Sequence, residues 1–227
     1  MRRTTRRDRA ALRLLLPALL LAACAAPAAE GIAVPADSPP VIDGTISPGE
    51  WDRARVEHFA DWSELLLMHA DGALYLGIRS VTEEMIVANV FLDLGEEIAI
   101  LHTSAALGTA RYARGADAWH LTQDFDWCCR STLETPAAQA ARDAFLQSDG
   151  WTSINARVGA PDEVEIQIEI PADTMRLAVN ILRSSNPDEK APWPADLDDD
   201  CILPTPGGLP ESLHFAPETW ALITLGE

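Results

Sequence analysis

Short apolar runs separated by turn residues, rather than long helical stripes, organise most of this chain. Leu65 to Ala70, the pair Asp71-Gly72, and Leu74 to Ile78 read as one β-hairpin, because Asp-Gly between apolar segments fits the tight turn that joins twisted strands. Met85 to Leu92 and Glu97 to His102 are two further apolar runs. Trp151 to Val158 and Glu163 to Ile170 flank Gly159-Ala160-Pro161-Asp162, a second hairpin. In its latter half Val164, Ile166, Ile168 and Ile170 alternate with Glu163, Glu165, Gln167 and Glu169, the period of a strand with one buried and one wet face. Arg176 to Leu182 and Thr219 to Leu225 add two strands, and only Ala137 to Leu146 reads as helix. Many short strands with regular turn punctuation predict a mainly β fold, an antiparallel β-sandwich with one short helix.

Two stretches depart from this rhythm. Ser47, Pro48 and Glu50 suit the N-cap, N1 and N3 positions of a short helical turn, which would turn Trp51 and Ala54 inward. From Ser184 to Pro217 the chain is rich in proline and acid, with Pro192-Trp193-Pro194 and Asp198-Asp199-Asp200-Cys201. Six prolines between Pro187 and Pro210 predict a long loop without a regular central strand. Long ordered loops commonly carry function.

The N-terminus has its own pattern. MRRTTRRDR precedes an apolar run from Ala10 to Ala23, the charged and apolar regions of a secretory signal. Leu21-Ala22-Ala23-Cys24 resembles the lipobox of bacterial lipoproteins, which implies cleavage before Cys24 and acylation of its thiol. The expected layout is a signal at 1–23, a small-residue tether at 24–38 and a binding domain at 39–227. Its expected place is the extracytoplasmic side of a bacterial envelope, anchored to lipid.

Cleavage changes the charge. Six arginines and Asp8 leave with the signal, so 17 basic and 35 acidic residues become 11 and 34, a net charge of −23. Binding to phosphate backbones requires a basic footprint, so nucleic acid is excluded as a partner. The cysteines are Cys24, Cys128, Cys129 and Cys201. With Cys24 acylated, three remain in an oxidising compartment. The expectation is a bridge from Cys201 to Cys128 or Cys129, since neighbours along a strand face opposite sides.

The order of motifs resembles a known group. Pro40-Val41-Ile42-Asp43-Gly44, then Gly49-Glu50-Trp51 and Ala54, is similar to the opening of family 9 carbohydrate-binding modules and their DOMON-like relatives. So are the hairpin with Asp71 and Leu74-Tyr75-Leu76, the strand ending at Pro171, and the closing Trp220 strand. The resemblance implies a β-sandwich that binds sugar or, in other branches, haem between axial ligands such as a Met and a His.

Sugar binding needs aromatic faces with polar side chains beside them. Of the seven tryptophans, Trp51, Trp151 and Trp220 lie in apolar surroundings that mark core residues. Trp119, Trp127 and Trp193 lie among polar or turn residues and are the candidate platform, with Asp124, Asp126 and Arg130 supplying hydrogen bonds. Asp196, Asp198, Asp199 and Asp200 concentrate carboxylates, which makes Ca²⁺ the candidate cofactor; a solvated acidic loop is the plainer account, because no EF-hand spacing is present. Met68 and His69 are the nearest approach to a haem-ligand pair. The glycine-bearing segment from His102 to Ala110 reads as a pocket lining, with His102 and Ser104 as its polar groups. Ser104 lacks a G-x-S-x-G elbow, and Glu83-Glu84 are adjacent rather than opposed. The expected function is therefore binding without catalysis, with carbohydrate as the ligand. The alternatives are a haem or electron-transfer module, and a structural envelope lipoprotein without a small ligand.

Overall fold

The computed structural model describes residues 31–58, 60–130, 135–157, 159–170, 172–195, 197, 200–201 and 208–226. Cys24 and most of its tether lie outside them, as do Asp196, Asp198 and Asp199. The strands, in chain order, are β1 (Ile32–Val34), β2 (Arg55–His58), β3 (Ser63–Ala70), β4 (Ala73–Ser80), β5 (Ile86–Asp93), β6 (Glu97–Thr103) and β7 (Leu107–Arg114). There follow β8 (Trp119–Cys128), the helix α1 (Pro136–Asp149), β9 (Trp151–Arg157), β10 (Ala160–Glu169), β11 (Thr174–Arg183), β12 (Asn186–Trp193), β13 (Ser212–Leu213) and β14 (Ala221–Leu225).

They form a two-sheet β-sandwich. The long sheet runs β1-β14-β11-β5-β6-β7-β8-β13, with β12 also on β11; the short sheet runs β2-β3-β4-β10-β9. The first hairpin forms as its turn residues require: Asp71 and Gly72 both take positive φ, 50° and 82°, the geometry of a type I′ turn. Strand pairing begins at Ile32, which lies opposite Ile223, within the stretch that the sequence reads as tether. In α1, the Thr135 side chain caps the Ala138 N–H, Pro136 occupies the first turn and Gly150 closes the helix in left-handed geometry. Phe145 then seats edge-on against Trp151, 5.2 Å between ring centres.

Apolar packing occurs in three places. Between the sheets lie Leu65, Leu67, Leu74, Leu76, Ile166 and Ile168, facing Val90, Leu101, Leu177 and Val179. A second cluster sits on the outer face of the long sheet, where Phe91, Ile100 and Tyr112 meet Trp119, Phe215 and Trp220. A third sits on the outer face of the short sheet, where Trp51 covers Leu66, Met68 and Tyr75. Each sheet is thus covered on the outside by irregular chain.

Three expectations are corrected. Glu165, predicted on a wet face, is fully buried, because the segment from Ile42 to Trp51 folds over it. Ser47 to Glu50 makes only a turn, closed by the Glu50 N–H on the Ser47 carbonyl at 3.3 Å. The proline-rich region also holds a strand: β12 contains Pro187 and Pro192 and pairs with β11. Among the described residues it has no second partner strand. An edge position of that kind tolerates a residue without an N–H.

Candidate functional site

The three predicted platform tryptophans do not converge. Trp119 is buried, donates its indole N–H to the Phe215 carbonyl at 3.2 Å, and has the Arg114 guanidinium over its ring at 4.3 Å. Trp193 is buried between the sheets, opposite Val179. Both are core residues, because the polar text around them belongs to a strand that the sequence reading missed and to an edge strand read as loop. Trp127 alone is open, at 42 % exposure. Asp124, Asp126 and Arg130 are exposed. Asp126 pairs across the strand with Thr109 while Trp127 pairs with Gly108, so Asp126 points to the opposite side of β8 from the ring.

The expected disulfide is also corrected. Cys128 and Cys129 are joined to each other. Cys201 is buried in the outer cluster of the long sheet with Phe91 and Trp220, whereas Cys128 and Cys129 pack against the core between the sheets. The sheet itself separates the predicted partners. Of the acidic loop, Asp200 accepts the backbone N–H of His214 at 2.6 Å. No group of three metal-ligating side chains occurs among the described residues. Met68 lies under Trp51 and the His69 ring bonds to the Gly226 carbonyl at 2.8 Å, on opposite sides of β3.

What the fold does bring together is a row across the outer face of the long sheet. Asn180 on β11 lies opposite Asn89 on β5, Asn89 opposite His102 on β6, His102 opposite Gly108 on β7, and Gly108 opposite Trp127 on β8. Adjacent strands are about 4.8 Å apart, so the row runs about 19 Å. Gly108 has a definite role in it. A Cβ there would meet the Trp127 ring at 2.9 and 3.0 Å, so only glycine lets the indole lie down on the strand. The ring then stands edge-on to His102 at 5.1 Å and beside Phe125 at 4.8 Å.

Further along the row the groups are polar and enclosed. His102 donates through Nδ1 to Asn89 Oδ1 at 2.8 Å. Burial pushes the imidazole down to about 4, so it is neutral at ordinary pH. Asn89 Nδ2 has no partner, and neither Nδ2 nor Oδ1 of Asn180 has one. None of Asn180, Asn89 and His102 exposes more than 4 % of its surface.

No family model matches the chain, and no curated protein matches it. A solved structure from Bacteroides uniformis, named a "putative carbohydrate-binding protein", is similar at a TM-score of 0.42 and 9% identity, over 87% of this chain and 100% of that one.

Two of the row's members escaped the sequence reading. Asn89 stands inside Ile86-Val87-Ala88-Asn89-Val90-Phe91 and Asn180 inside Ala178-Val179-Asn180-Ile181-Leu182. A lone asparagine at the centre of an apolar strand run is the signal that marks them, since asparagine is depleted in strands. His102, read as a pocket residue, belongs to the row; Ser104 closes a local turn onto Ala106. Separately, a cavity of about 370 Å³ opens between the sheets beside Leu92, Leu101, Trp151 and Ile168. It contains none of the predicted sugar-binding residues.

Proposed function

We propose that this chain is a lipid-anchored, non-catalytic binding module of the bacterial envelope, and that its ligand is carbohydrate held on the outer face of the long sheet. The observation that carries the reading is Trp127, laid over Gly108 and 42 % exposed, with a neutral imidazole and buried amides continuing from its edge. A flat aromatic face takes the C–H side of a sugar ring. The likeness of the opening motif to family 9 carbohydrate-binding modules points the same way. The lipobox around Cys24 supports the anchor. The chain from Cys24 to the start of β1 spans no more than about 28 Å, which would keep the module close to the lipid surface.

Calorimetric titration with neutral mono- and disaccharides tests the binding. Trp127→Ala is expected to weaken the best ligand about tenfold or more, and a wild-type protein that binds no sugar would remove the reading. The anchor has its own check. Cys24→Ala is expected to end labelling of the protein by palmitate analogues in cells, and persistent labelling would rule the lipobox out.

A further inference from the structure

We infer that the cavity between the sheets is a second binding site, separate from Trp127, and that it takes an amphipathic amine: an apolar body enclosed between the sheets, with a cationic end at the mouth. The site stands whether or not sugar binds at Trp127.

The cavity follows from what the long sheet places on its inner face. Across β5, β6 and β7 one row reads Leu92, Ala99, Arg111. An alanine at a core position leaves a gap, and Arg111 does not fill it, because its guanidinium bonds to Glu97. Trp151 and Ile168 form the opposite wall. The space between is about 370 Å³, far above the ~30 Å³ share of one water molecule. It falls within the range of small-molecule sites, about 300–1,000 Å³. Close-packed interiors hold few voids larger than a water. This one is also open. Leu94 on its rim is 44 % exposed, and Asp149 and Ile170 are partly exposed, so a guest has a way in.

Walls and mouth differ in kind. Leu92, Ala99, Leu101 and Ile168 offer a guest only carbon. The polar atom of the Trp151 wall is already used: its indole N–H donates to Thr109 Oγ1 at 2.8 Å, and the Thr109 hydroxyl donates to Asp149 Oδ1 at 3.1 Å. A polar body would lose its water there and gain no bond, so the body must be apolar. The mouth is negative. Arg111 is compensated by its ion pair with Glu97, whereas Asp149 and Glu169, which also line the cavity, have no ion-pair partner among the described residues. Helix α1 ends at the same place. Gly150 closes it and its last turn holds no basic residue, so its C-terminal carbonyls add partial negative charge. The Glu169 N–H donates to the Gly150 carbonyl at 2.7 Å, which holds the two acidic segments side by side. Such a mouth favours a cationic head group and opposes an anionic one.

Octylamine, octanol and octanoate share one chain and differ in the head group. Calorimetric titration of the full chain with each, at pH 7 in detergent-free buffer, tests body and head separately. Octylamine is expected to bind at least about tenfold more tightly than octanoate, with octanol between them. Ala99→Leu fills the space and should abolish octylamine binding while Tm holds or rises, as cavity filling commonly gives. Leu94→Ser changes only the rim and should weaken octylamine about threefold or more; it decides the matter if Ala99→Leu fails to fold. Glu169→Gln should cut the preference for octylamine over octanol by about threefold. If octylamine binds the wild type and the cavity variants equally, it is held elsewhere on an acidic surface, and the inference fails. Octanoate binding as tightly as octylamine, or an unchanged preference in Glu169→Gln, would overturn the assignment of the head group. No binding of octylamine or octanol would remove the site.

Discussion

The two sheets each carry a buried polar group on their outer face, and they treat it in opposite ways. On the short sheet, Glu165 is surrounded by donors. The backbone N–H groups of Asp43, Gly44 and Thr45 reach Oε2 at 2.9, 2.8 and 3.3 Å, and the Trp51 indole reaches Oε1 at 3.0 Å. On the long sheet, Asn180 meets no donor and no acceptor. The first arrangement explains an otherwise puzzling motif. Asp43-Gly44 and Trp51, the residues that carry the family resemblance, are the clasp that closes on Glu165. They fix the covering segment to the sheet, and their chemistry is spent inside the protein. A satisfied buried cluster of this kind is architecture; Asn180 on the long sheet has no such clasp.

The largest effect should come from opening the clasp. Glu165→Ala leaves three backbone N–H groups and an indole without their acceptor, and a buried donor so stranded costs about 1–3 kcal/mol. Water admitted to the gap recovers part of this, so a loss of about 3–5 kcal/mol in urea unfolding is expected. A loss below about 1 kcal/mol would mean that Glu165 is not a structural peg, and the contrast between the two faces would collapse.

Acidity offers a second way to separate the faces. Burial pushes the Glu165 carboxyl up to about 7, against the N–H donors that favour its charged form. Between about 4.5 and 7 the folded protein therefore holds a proton that the unfolded chain has released, so this group makes stability fall as pH rises. His102 does the reverse. With its folded value near 4 and an ordinary value of 6.5, the unfolded chain binds the proton between those limits, and stability is lost as pH falls through them. Each contribution is on the order of 3 kcal/mol at its full extent, and over most of the window they oppose. The wild type should thus be nearly flat where each variant is steep. Relative to wild type, His102→Gln should gain stability from pH 6.5 down to 4, and Glu165→Gln should lose it from pH 7 down to 4.5. Urea midpoints at half-unit pH steps give both difference profiles. Two flat profiles would show that neither group titrates across folding as its burial requires.

How far the sequence reveals this depends on what each pattern reports. Alternation in β10 identifies Val164, Ile166 and Ile168 as core, and Asp71-Gly72 places the turn of the first hairpin to the residue, with each strand reaching one or two residues further than its apolar run. Both are local properties of the chain. Alternation failed at Glu165 because a period of two shows which side faces the core, and not whether distant chain covers the other side. The tryptophans failed for a related reason. Trp119 and Trp193 sit among polar neighbours along the chain, yet Trp119 is buried against Phe215, 96 residues away, and Trp193 faces the core because β12 pairs with β11. Counting cysteines assigns Cys201 to a bridge, and a count carries no information about which side of a sheet a residue occupies. The amide row was partly legible: each asparagine interrupts an apolar run, but only strand register aligns Asn180, Asn89 and His102.

The smallest expected effect tests how the open end of the row is built. Gly108 has no need of a left-handed backbone; its role is the space that a Cβ would take from the Trp127 ring, at 2.9 Å, and from Phe125, at 3.2 Å. Gly108→Ala must lift the indole by some tenths of an ångström. In a strand alanine is otherwise no worse than glycine, so the stability change should stay within about 1 kcal/mol, a balance of backbone gain and lost ring contact. Binding should respond more than stability, because the ring would no longer stand edge-on to His102 and the two halves of the row would be out of line. A loss of sugar affinity of about three- to tenfold, with Tm nearly unchanged, is the expected result. Unchanged affinity would mean that the ring acts alone, and that its seat on Gly108 serves only the packing of β7 against β8.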